Sequence, residues 1–184
     1  MVTISLCMIV KNEERVLGRC LESVQEIADE IIIVDTGSED RTKKIAEKYH
    51  ARVFEQEWQD DFSRARNYSF SQAEMDYCMW LDADDIIAKS EMLKLKRWKE
   101  ETDGSSDVVM IRYVAGFDEK RNPTLVYYRE RIVKRDKDFQ WQGRVHETLA
   151  VRGRTEYLDC EIEHHSIKTR SEERRVGKEC PYRC

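Results

Sequence analysis

Three carboxylates lie within four residues, directly after an apolar run near the middle of the chain. The run is residues 77–81 (YCMWL), and the acids are Asp82, Asp84 and Asp85. A short apolar run of this kind is typical of a buried strand, so the acids are expected where the strand leaves its sheet. Clustered carboxylates repel one another, and a hard divalent cation with oxygen ligands is the natural compensation. The pattern therefore predicts a metal-binding turn at a strand end.

A second apolar run, residues 31–34 (IIIV), also ends in an acid, Asp35, and is followed by a turn at Gly37. In a parallel sheet the carboxyl ends of the strands share one edge, and ligands bind in the crevice there. We therefore expect Asp35 to face the same crevice as the acids of residues 82–85.

The elements that must position these acids alternate between strand and helix patterns through the first half of the chain. This alternation predicts a parallel α/β sheet with right-handed crossovers. Ser38 is expected to be the N-cap of the second helix. The predicted strands are residues 3–10, 30–35, 52–55 and 77–82, and the predicted helices are residues 13–27, 38–49 and 63–73.

The second half of the chain has a different pattern, which predicts an antiparallel or mixed arrangement. Its strand patterns alternate or are rich in aromatic residues, and Gly116 and the Asn122-Pro123 pair supply turn chemistry between two of them. The predicted elements are a helix at residues 92–100 and strands at 108–113, 125–134, 149–151 and 157–163.

The composition excludes several classes of protein. The chain has 184 residues, is 40% hydrophobic and 38% charged, and has a mean hydropathy of -0.74, so we expect one soluble domain with a real core. No apolar run approaches the ~20 residues of a membrane span, and the first residues do not resemble a secretory signal. A net charge of -5 argues against broad nucleic-acid binding.

None of the six cysteines belongs to a CxxC pair. Cys7 and Cys78 lie inside predicted strands, as small buried hydrophobes do. This usage predicts a reducing compartment and no zinc site. We expect a cytoplasmic protein, and peripheral attachment to the inner face of the membrane is compatible with that expectation.

Several motifs, taken together, resemble family 2 glycosyltransferases of the GT-A fold. The resemblance implies an α/β fold with a Rossmann-like, mostly parallel sheet, helices on both faces and a mixed or antiparallel second half. It covers nearly everything before Arg170. The four motifs of the first half are residues 10–14 (VKNEE), 34–42 (VDTGSEDRT), 61–67 (DFSRARN) and 80–85 (WLDADD). Two later motifs resemble a bacterial subgroup with lipopolysaccharide-core glucosyltransferase-like and peptide glycosyltransferases, and they are residues 143–147 (GRVHE) and 164–165 (HH).

The resemblance implies a nucleotide-sugar donor, expected to be a UDP-sugar, and Mn²⁺ or Mg²⁺ as cofactor. Residues 82–84 (DAD) match the DxD motif of the family, with Asp84 on the metal and Asp82 near the ribose or the metal. His164 resembles the late His that completes the metal shell in this family. A shell of carboxylate, imidazole and phosphate favours Mn²⁺ or Mg²⁺ over Ca²⁺. The alternatives are a solvated acidic loop and a structural His.

The other donor-binding residues follow from the same resemblance. Asp35 would hydrogen-bond the uracil or the ribose, as an acid after the second strand of a nucleotide-binding sheet commonly does. Asn12 and Glu13 match the base-contacting segment, although both also suit helix capping. Arg66 and Asn67 match the donor-side pair, in which an Arg suits a diphosphate. The structural alternatives are a helix-dipole partner for Asp35 and a surface ion pair for Arg66.

Inversion at the anomeric carbon needs a base that takes the proton of the acceptor. Glu147 is the candidate, because a carboxylate in a pocket can be tuned to the working pH. The alternative is that His146-Glu147 only shapes the acceptor loop, and Asp118 and Asp159 are the other candidate bases. Trp141 suits either stacking on a sugar or packing in the core.

The leading hypothesis is an inverting, metal-assisted glycosyltransferase that moves a sugar from a nucleotide-diphosphate sugar to a glycan, lipid-linked or peptide acceptor. A phosphatase with Asp82 as its nucleophile would not explain Asp35 or the Arg66-Asn67 segment. A nucleotidyltransferase would carry a Gly-rich loop after the first strand, and residues 11–14 contain no Gly. The non-enzyme alternative is a truncated domain that binds nucleotide without transferring sugar.

The domain organisation is expected to be simple. Residues 1–169 are predicted to form the catalytic domain, with a donor half at 1–87, an acceptor half at 88–169 and a truncated C-terminal side. Residues 170–184 have no periodicity and resemble the translation of a common DNA-sequencing adaptor. We expect this tail to be non-native and to carry no function.

Overall fold

The computed structural model describes residues 1–165, so the predicted tail at residues 170–184 lies outside the described residues. One eight-stranded sheet dominates this part of the chain, and helices pack against it. No helix in this part is long and apolar enough to cross a membrane. In chain order the elements are β1 (Ile4–Val10), α1 (Leu17–Val24), β2 (Glu30–Asp35), α2 (Thr42–Lys48), β3 (Arg52–Glu55), α3 (Phe62–Ser71), β4 (Tyr77–Trp80), β5 (Asp85–Ile86), α4 (Lys89–Glu101), β6 (Val108–Phe117), β7 (Pro123–Lys134), a 3₁₀ turn (Arg135–Lys137), β8 (Trp141–Gln142), β9 (Thr148–Leu149) and β10 (Thr155–His164).

The first half forms the predicted parallel sheet. β3, β2, β1 and β4 lie side by side in that order and run parallel to one another. Strands buried on both faces need apolar side chains at successive positions. In β1, Leu6 and Met8 pack into one buried cluster, and Cys7 between them packs into the other. The carboxyl ends of these strands, including Asp35 of β2, therefore share one edge of the sheet.

The second half is mixed, as predicted. β7 runs antiparallel to both β4 and β6, β10 runs parallel to β6, and β5 runs antiparallel to β10. The order across the sheet is β3-β2-β1-β4-β7-β6-β10-β5. A separate two-stranded sheet pairs β8 with β9. The sequence pattern predicted a strand only near the second of these, at residues 149–151.

The shortest strand of the large sheet brings distant parts of the chain together. In the pairing of β5 with β10, Asp85 lies opposite His164. The next residue, His165, donates its backbone N–H to the carbonyl of Asp84 at 2.8 Å. This pairing places the late His motif directly beside the acidic turn.

The two helices that follow β1 and β2 begin later than predicted. α1 begins at Leu17 and α2 begins at Thr42, so the prediction of Ser38 as an N-cap is wrong. The Oδ1 atom of Asp35 accepts hydrogen bonds from the backbone N–H groups of Gly37 and Ser38. Gly37 has a φ of 105°, which glycine adopts without strain. These bonds hold the segment after β2 as a loop rather than a first helical turn.

The thiols of the described residues are buried in the core, as predicted for Cys7 and Cys78. All four of these cysteines are free. Burial raises the pKa of the Cys20 thiol and raises the pKa of Cys160 to about 12. The thiols of Cys20 and Cys160 therefore act as small apolar side chains.

Lys99 anchors α4 with a nearly buried ammonium group. Its Nζ donates to the carbonyl of Ile27 at 2.9 Å and lies 2.6 Å from Asp29 Oδ2. We predict that Lys99→Met lowers the free energy of unfolding by about 2 kcal/mol, because two acceptors lose their donor. Urea unfolding followed by circular dichroism measures the change. The control is Lys96→Met, since the ion pair of Lys96 with Glu26 is exposed and its loss should cost less than about 0.5 kcal/mol. Equal losses in both variants would contradict the anchoring role.

Candidate active site

A cleft of about 750 Å³ opens at the carboxyl ends of β1 and β4. Its walls come from both halves of the chain, namely the turns after β1, β2 and β4, the start of α3, the loop before β9 and the end of β10. Asp35 and Asn67 lie outside its lining. The other seven residues predicted for the site all line it, and they are Asn12, Glu13, Arg66, Asp82, Asp84, Glu147 and His164.

Arg66 joins the two halves of the cleft through two charged hydrogen bonds. Its Nη2 donates to Asp82 Oδ1 at 2.8 Å, and its Nε donates to Glu147 Oε1 at 2.6 Å. The guanidinium carbon also lies 4.9 Å from the ring centre of Trp80 and 4.8 Å from that of Trp141. The side chain of Arg66 is only 8% exposed, so its guanidinium is buried and is not part of a surface ion pair. Two carboxylates therefore share one buried guanidinium.

The ionised form of Asp82 is stabilised by its surroundings. Desolvation in the cleft works against the charge of this carboxylate. The guanidinium of Arg66, and more remotely that of Arg131, outweigh desolvation and lower the pKa of Asp82. Asp82 thus enters any reaction as a carboxylate.

Asp85 is satisfied by protein groups alone. Arg131 Nη1 donates to its Oδ2 at 2.9 Å, and both side chains of this ion pair are fully buried. The hydroxyl of Tyr113 donates to its Oδ1 at 2.9 Å. A divalent cation was expected as the compensation for all three acids of the turn. Arginines compensate Asp82 and Asp85 instead, so within the described residues Asp84 is the acid of this turn without an arginine partner.

Asp84, Asp85 and His164 each offer a ligand atom within 4.8 Å of the others, and Asp84 and His164 are the two of these that line the cleft. His164 Nδ1 lies 3.4 Å from Asp84 Oδ1 and 3.7 Å from Asp85 Oδ1. This nitrogen is buried and meets hydrogen-bond geometry with no group of the described residues. The two carboxylates raise the pKa of His164 to about 10, which reflects how strongly this corner attracts positive charge. A carboxylate and an imidazole suit Mn²⁺ or Mg²⁺, so the residues present fit the predicted cation.

Asp35 lies at the end of β2 and is almost fully buried. Its Oδ1 holds the loop through the N–H groups of Gly37 and Ser38, whereas its Oδ2 has no hydrogen-bond partner among the described residues. The next residue, Thr36, lines the cleft. One oxygen of Asp35 therefore shapes the loop, and the other is buried without a hydrogen-bond donor among the described residues. The alternative of a helix-dipole partner is not supported, because α2 begins only at Thr42.

Asn12 and Glu13 form a turn that ties the end of β1 to the loop after β2. Asn12 has a φ of 55°, its N–H donates to Ser38 Oγ, and its Oδ1 accepts the N–H of Glu39. The N–H of Glu13 donates to Thr42 Oγ1. The N-cap position of α1 is Val16, so neither Asn12 nor Glu13 occupies it. Both residues line the cleft through this turn.

Asn67 uses both ends of its amide on the backbone of Trp141. Its Oδ1 accepts the Trp141 N–H at 2.7 Å, and its Nδ2 donates to the Trp141 carbonyl at 3.0 Å. The Trp141 ring packs edge-on against Trp80 and Phe70 and is 3% exposed, so core packing accounts for it rather than sugar stacking. These two bonds hold Asn67 against the loop that leads to Glu147, and its donor contact stays a prediction.

Among the three candidate bases, Glu147 is the one that lines the cleft. Asp118 closes the turn between β6 and β7 by accepting hydrogen bonds from Asn122. Asp159 lies exposed on β10 and lines a different groove. The geometry therefore favours Glu147 over both alternatives.

Arg131, Tyr113 and the role of Asp85 were missed by the sequence analysis. A signal was present for Arg131, because a charged residue at a core position of a strand requires a buried partner of opposite charge. Trp58 and Phe62 also line the cleft, with ring centres 4.8 Å apart. Nothing in the sequence distinguishes these two rings from core aromatics.

The sequence of the chain matches a known family over most of its length. Residues 5–154 match the family model described as Glycosyl transferase family 2. A TPR repeat-containing protein of Synechococcus elongatus is 36% identical over 150 residues, which cover 81% of this chain and 36% of that protein. The lipopolysaccharide core biosynthesis glycosyltransferase LpsC of Rhizobium meliloti is 28% identical over 167 residues, which cover 82% of this chain and 58% of LpsC. The chain thus spans between about a third and three fifths of the length of these relatives.

The fold is similar to that of a solved structure. The crystal structure of a fragment of S. aureus TarS in complex with UDP-GlcNAc has a TM-score of 0.68 at 18% identity, covering 93% of this chain and 60% of that chain. This likeness confirms the predicted GT-A fold. The family match runs from β1 to the loop before β10 and includes every cleft motif except His164. On that basis the chain belongs to glycosyl transferase family 2.

Proposed function

We propose that the chain is the catalytic part of an enzyme that transfers a sugar from a UDP-sugar to an acceptor, with a divalent cation and with inversion at the anomeric carbon. The observation that carries this proposal is that the residues suited to these roles line one cleft. A corner that fits a cation, Asp84 with His164, lies in the same cleft as a carboxylate base, Glu147. Arg66 connects this base to Asp82, the first acid of the turn.

A uracil nucleotide as the donor is supported by one unpaired oxygen atom of the chain and by one protein of similar fold. Asp35 Oδ2 is buried and without a partner among the described residues, so it suits the N–H group of a uracil ring. TarS, whose fold is similar, is in complex with UDP-GlcNAc. We therefore propose that Asp35 accepts the N–H of uracil beside the turn of Asn12 and Glu13.

The donor diphosphate would lie against the acidic turn. Asp84 and His164 are the residues that would hold Mn²⁺ or Mg²⁺, which as a Lewis acid neutralises a leaving diphosphate. Asp82 is fixed by Arg66 through one oxygen, and its side chain remains 39% exposed toward the cleft. Its second oxygen is therefore free to face the ribose or the cation.

Glu147 is the proposed base. Its Oε1 accepts a hydrogen bond from Arg66 Nε at 2.6 Å, which fixes the carboxylate at the wall of the cleft. The acceptor hydroxyl gives its proton to Glu147 while its oxygen bonds to the anomeric carbon and the bond to the diphosphate breaks on the opposite side.

The acceptor is proposed to be a glycan bound by the second half of the chain. The relative LpsC is named for lipopolysaccharide core biosynthesis, which supports a glycan. Lipid-linked and peptide acceptors are the alternatives that follow from the family resemblance. The buried free thiols of the described residues support a reducing, cytoplasmic setting.

We predict that Asp84→Ala abolishes Mn²⁺-dependent binding of UDP and leaves the fold intact, because it removes the acid that has no arginine partner. Calorimetric titration with UDP in Mn²⁺ measures binding, and circular dichroism reports the fold. The control is Glu22→Ala, an exposed acid of α1 that should bind UDP as the parent does. Unchanged affinity in folded Asp84→Ala protein would remove Asp84 from the metal site.

We predict that Glu147→Gln retains UDP binding but lowers the rate of sugar transfer by about 10²- to 10⁴-fold, the usual contribution of a general base. The amide oxygen still accepts a hydrogen bond from Arg66, so the loop keeps its position. Transfer from UDP-sugars to glycan acceptors, or donor hydrolysis, measures the rate. A parental rate in this variant would exclude Glu147 as the base, and Glu119→Gln in an exposed turn is the control.

We predict that Arg66→Lys lowers the free energy of unfolding by about 3 kcal/mol, because an ammonium group cannot reproduce the two directed bonds of the guanidinium. Chemical denaturation measures the loss. Arg64→Lys on the exposed side of the same helix serves as the control, with an expected change below about 0.5 kcal/mol. Equal stability of the Arg66 variant and the parent would show that Arg66 does not hold the cleft together.

A further inference from the structure

Asp85, the last acid of the turn, forms an ion pair with Arg131 that lies outside the lining of the cleft. Both side chains are fully buried. Taking two charges out of water is costly, and apolar residues of similar volume often stabilise a fold as well or better. Stability alone therefore does not explain why this pair stands at this position.

Asp85 is bonded to both sides of the turn that carries Asp84. Its Oδ2 accepts the N–H of Asp82 at 3.0 Å, and its own N–H donates to the Asp82 carbonyl at 3.0 Å. Its backbone pairs with His164 across β5 and β10, and its Oδ1 lies 3.7 Å from His164 Nδ1. Asp85 thus links the turn that carries Asp84 to the strand that carries His164.

Arg131 is held in place mainly by aromatic rings. Its guanidinium carbon lies 3.8 Å from the ring centre of Trp80 and 4.3 Å from that of Tyr113. Its Nη1 donates to Asp85 and also to the Trp80 carbonyl, at 3.3 Å. Its Nε and Nη2 have no hydrogen-bond partner among the described residues. Because only one nitrogen of this guanidinium donates hydrogen bonds, Arg131 contributes mainly its positive charge at this point.

We propose that Arg131 and Asp85 are positioning residues that fix the separation of Asp84 and His164 before a cation and a donor bind. This inference rests on the proposed function of that corner. Arg131 neutralises Asp85, so Asp84 presents its charge to the cation without competition from its neighbour. Outer groups that orient metal ligands commonly change metal affinity by about 10- to 100-fold when they are removed.

The test replaces the buried guanidinium of Arg131 with the unbranched apolar side chain of methionine. In Arg131→Met, we expect the affinity for UDP in the presence of MnCl₂ to fall by about 10- to 100-fold in calorimetric titrations. Lys99→Met removes another nearly buried cation, far from the cleft, and is expected to bind UDP as the parent does. Parental affinity in folded Arg131→Met protein would overturn the inference.

A second variant covers the case in which Arg131→Met does not fold because Asp85 is left unpaired. Arg131→Met/Asp85→Asn removes both charges and keeps one amide oxygen, which can accept the N–H of Asp82, while the amide NH₂ can donate to the hydroxyl oxygen of Tyr113. Its crystal structure gives the distance between Asp84 Oδ1 and His164 Nδ1, which is 3.4 Å in the parent. A wider separation supports the inference, and an unchanged one overturns it whether or not the parent binds Mn²⁺. Failure of the parent itself to bind UDP with Mn²⁺ would contradict the proposed function and not this positioning role.

Discussion

The cleft depends on the neutralisation of an acidic turn by two buried arginines. Arg66 pairs with Asp82 and Arg131 pairs with Asp85, and both guanidinium groups pack near the ring of Trp80, the last residue of β4. Without these partners the turn after β4 would hold adjacent carboxylates in a poorly solvated place, which is strongly unfavourable. Because Asp82 and Asp85 are paired with these arginines, Asp84 is the carboxylate of the turn that has no arginine partner among the described residues.

The same two arginines bind the two halves of the chain into one site. Arg66 belongs to α3 in the first half and contacts Glu147 in the second, whereas Arg131 belongs to β7 in the second half and contacts the turn of the first. The corner with His164 is likewise assembled across the halves, by the pairing of β5 with β10. The donor half and the acceptor half follow one another in the sequence, but the cleft is built from residues of both halves.

Much of this arrangement could be predicted from the sequence, because it depends on local patterns. Apolar runs that end in acids located β2 and β4 and the crevice at their carboxyl ends. The partners of the acids could not be predicted in this way, since Asp85 and Arg131 are far apart along the chain and meet only through the sheet. Ser38 was wrongly predicted as the N-cap of α2. The carboxylate of Asp35 accepts the N–H groups of Gly37 and Ser38, which holds this segment as a loop. Two-residue strands such as β5 are too short to show a period.

We propose that the two arginines leave one corner of the turn to a divalent cation that binds the diphosphate of a nucleotide. The most direct test is calorimetric titration of UDP into the parent protein, first with Mn²⁺ and then with EDTA in place of Mn²⁺. We expect saturable binding of UDP with Mn²⁺ and its loss in EDTA. Binding of equal strength in both conditions, or no binding in either, would contradict the claim.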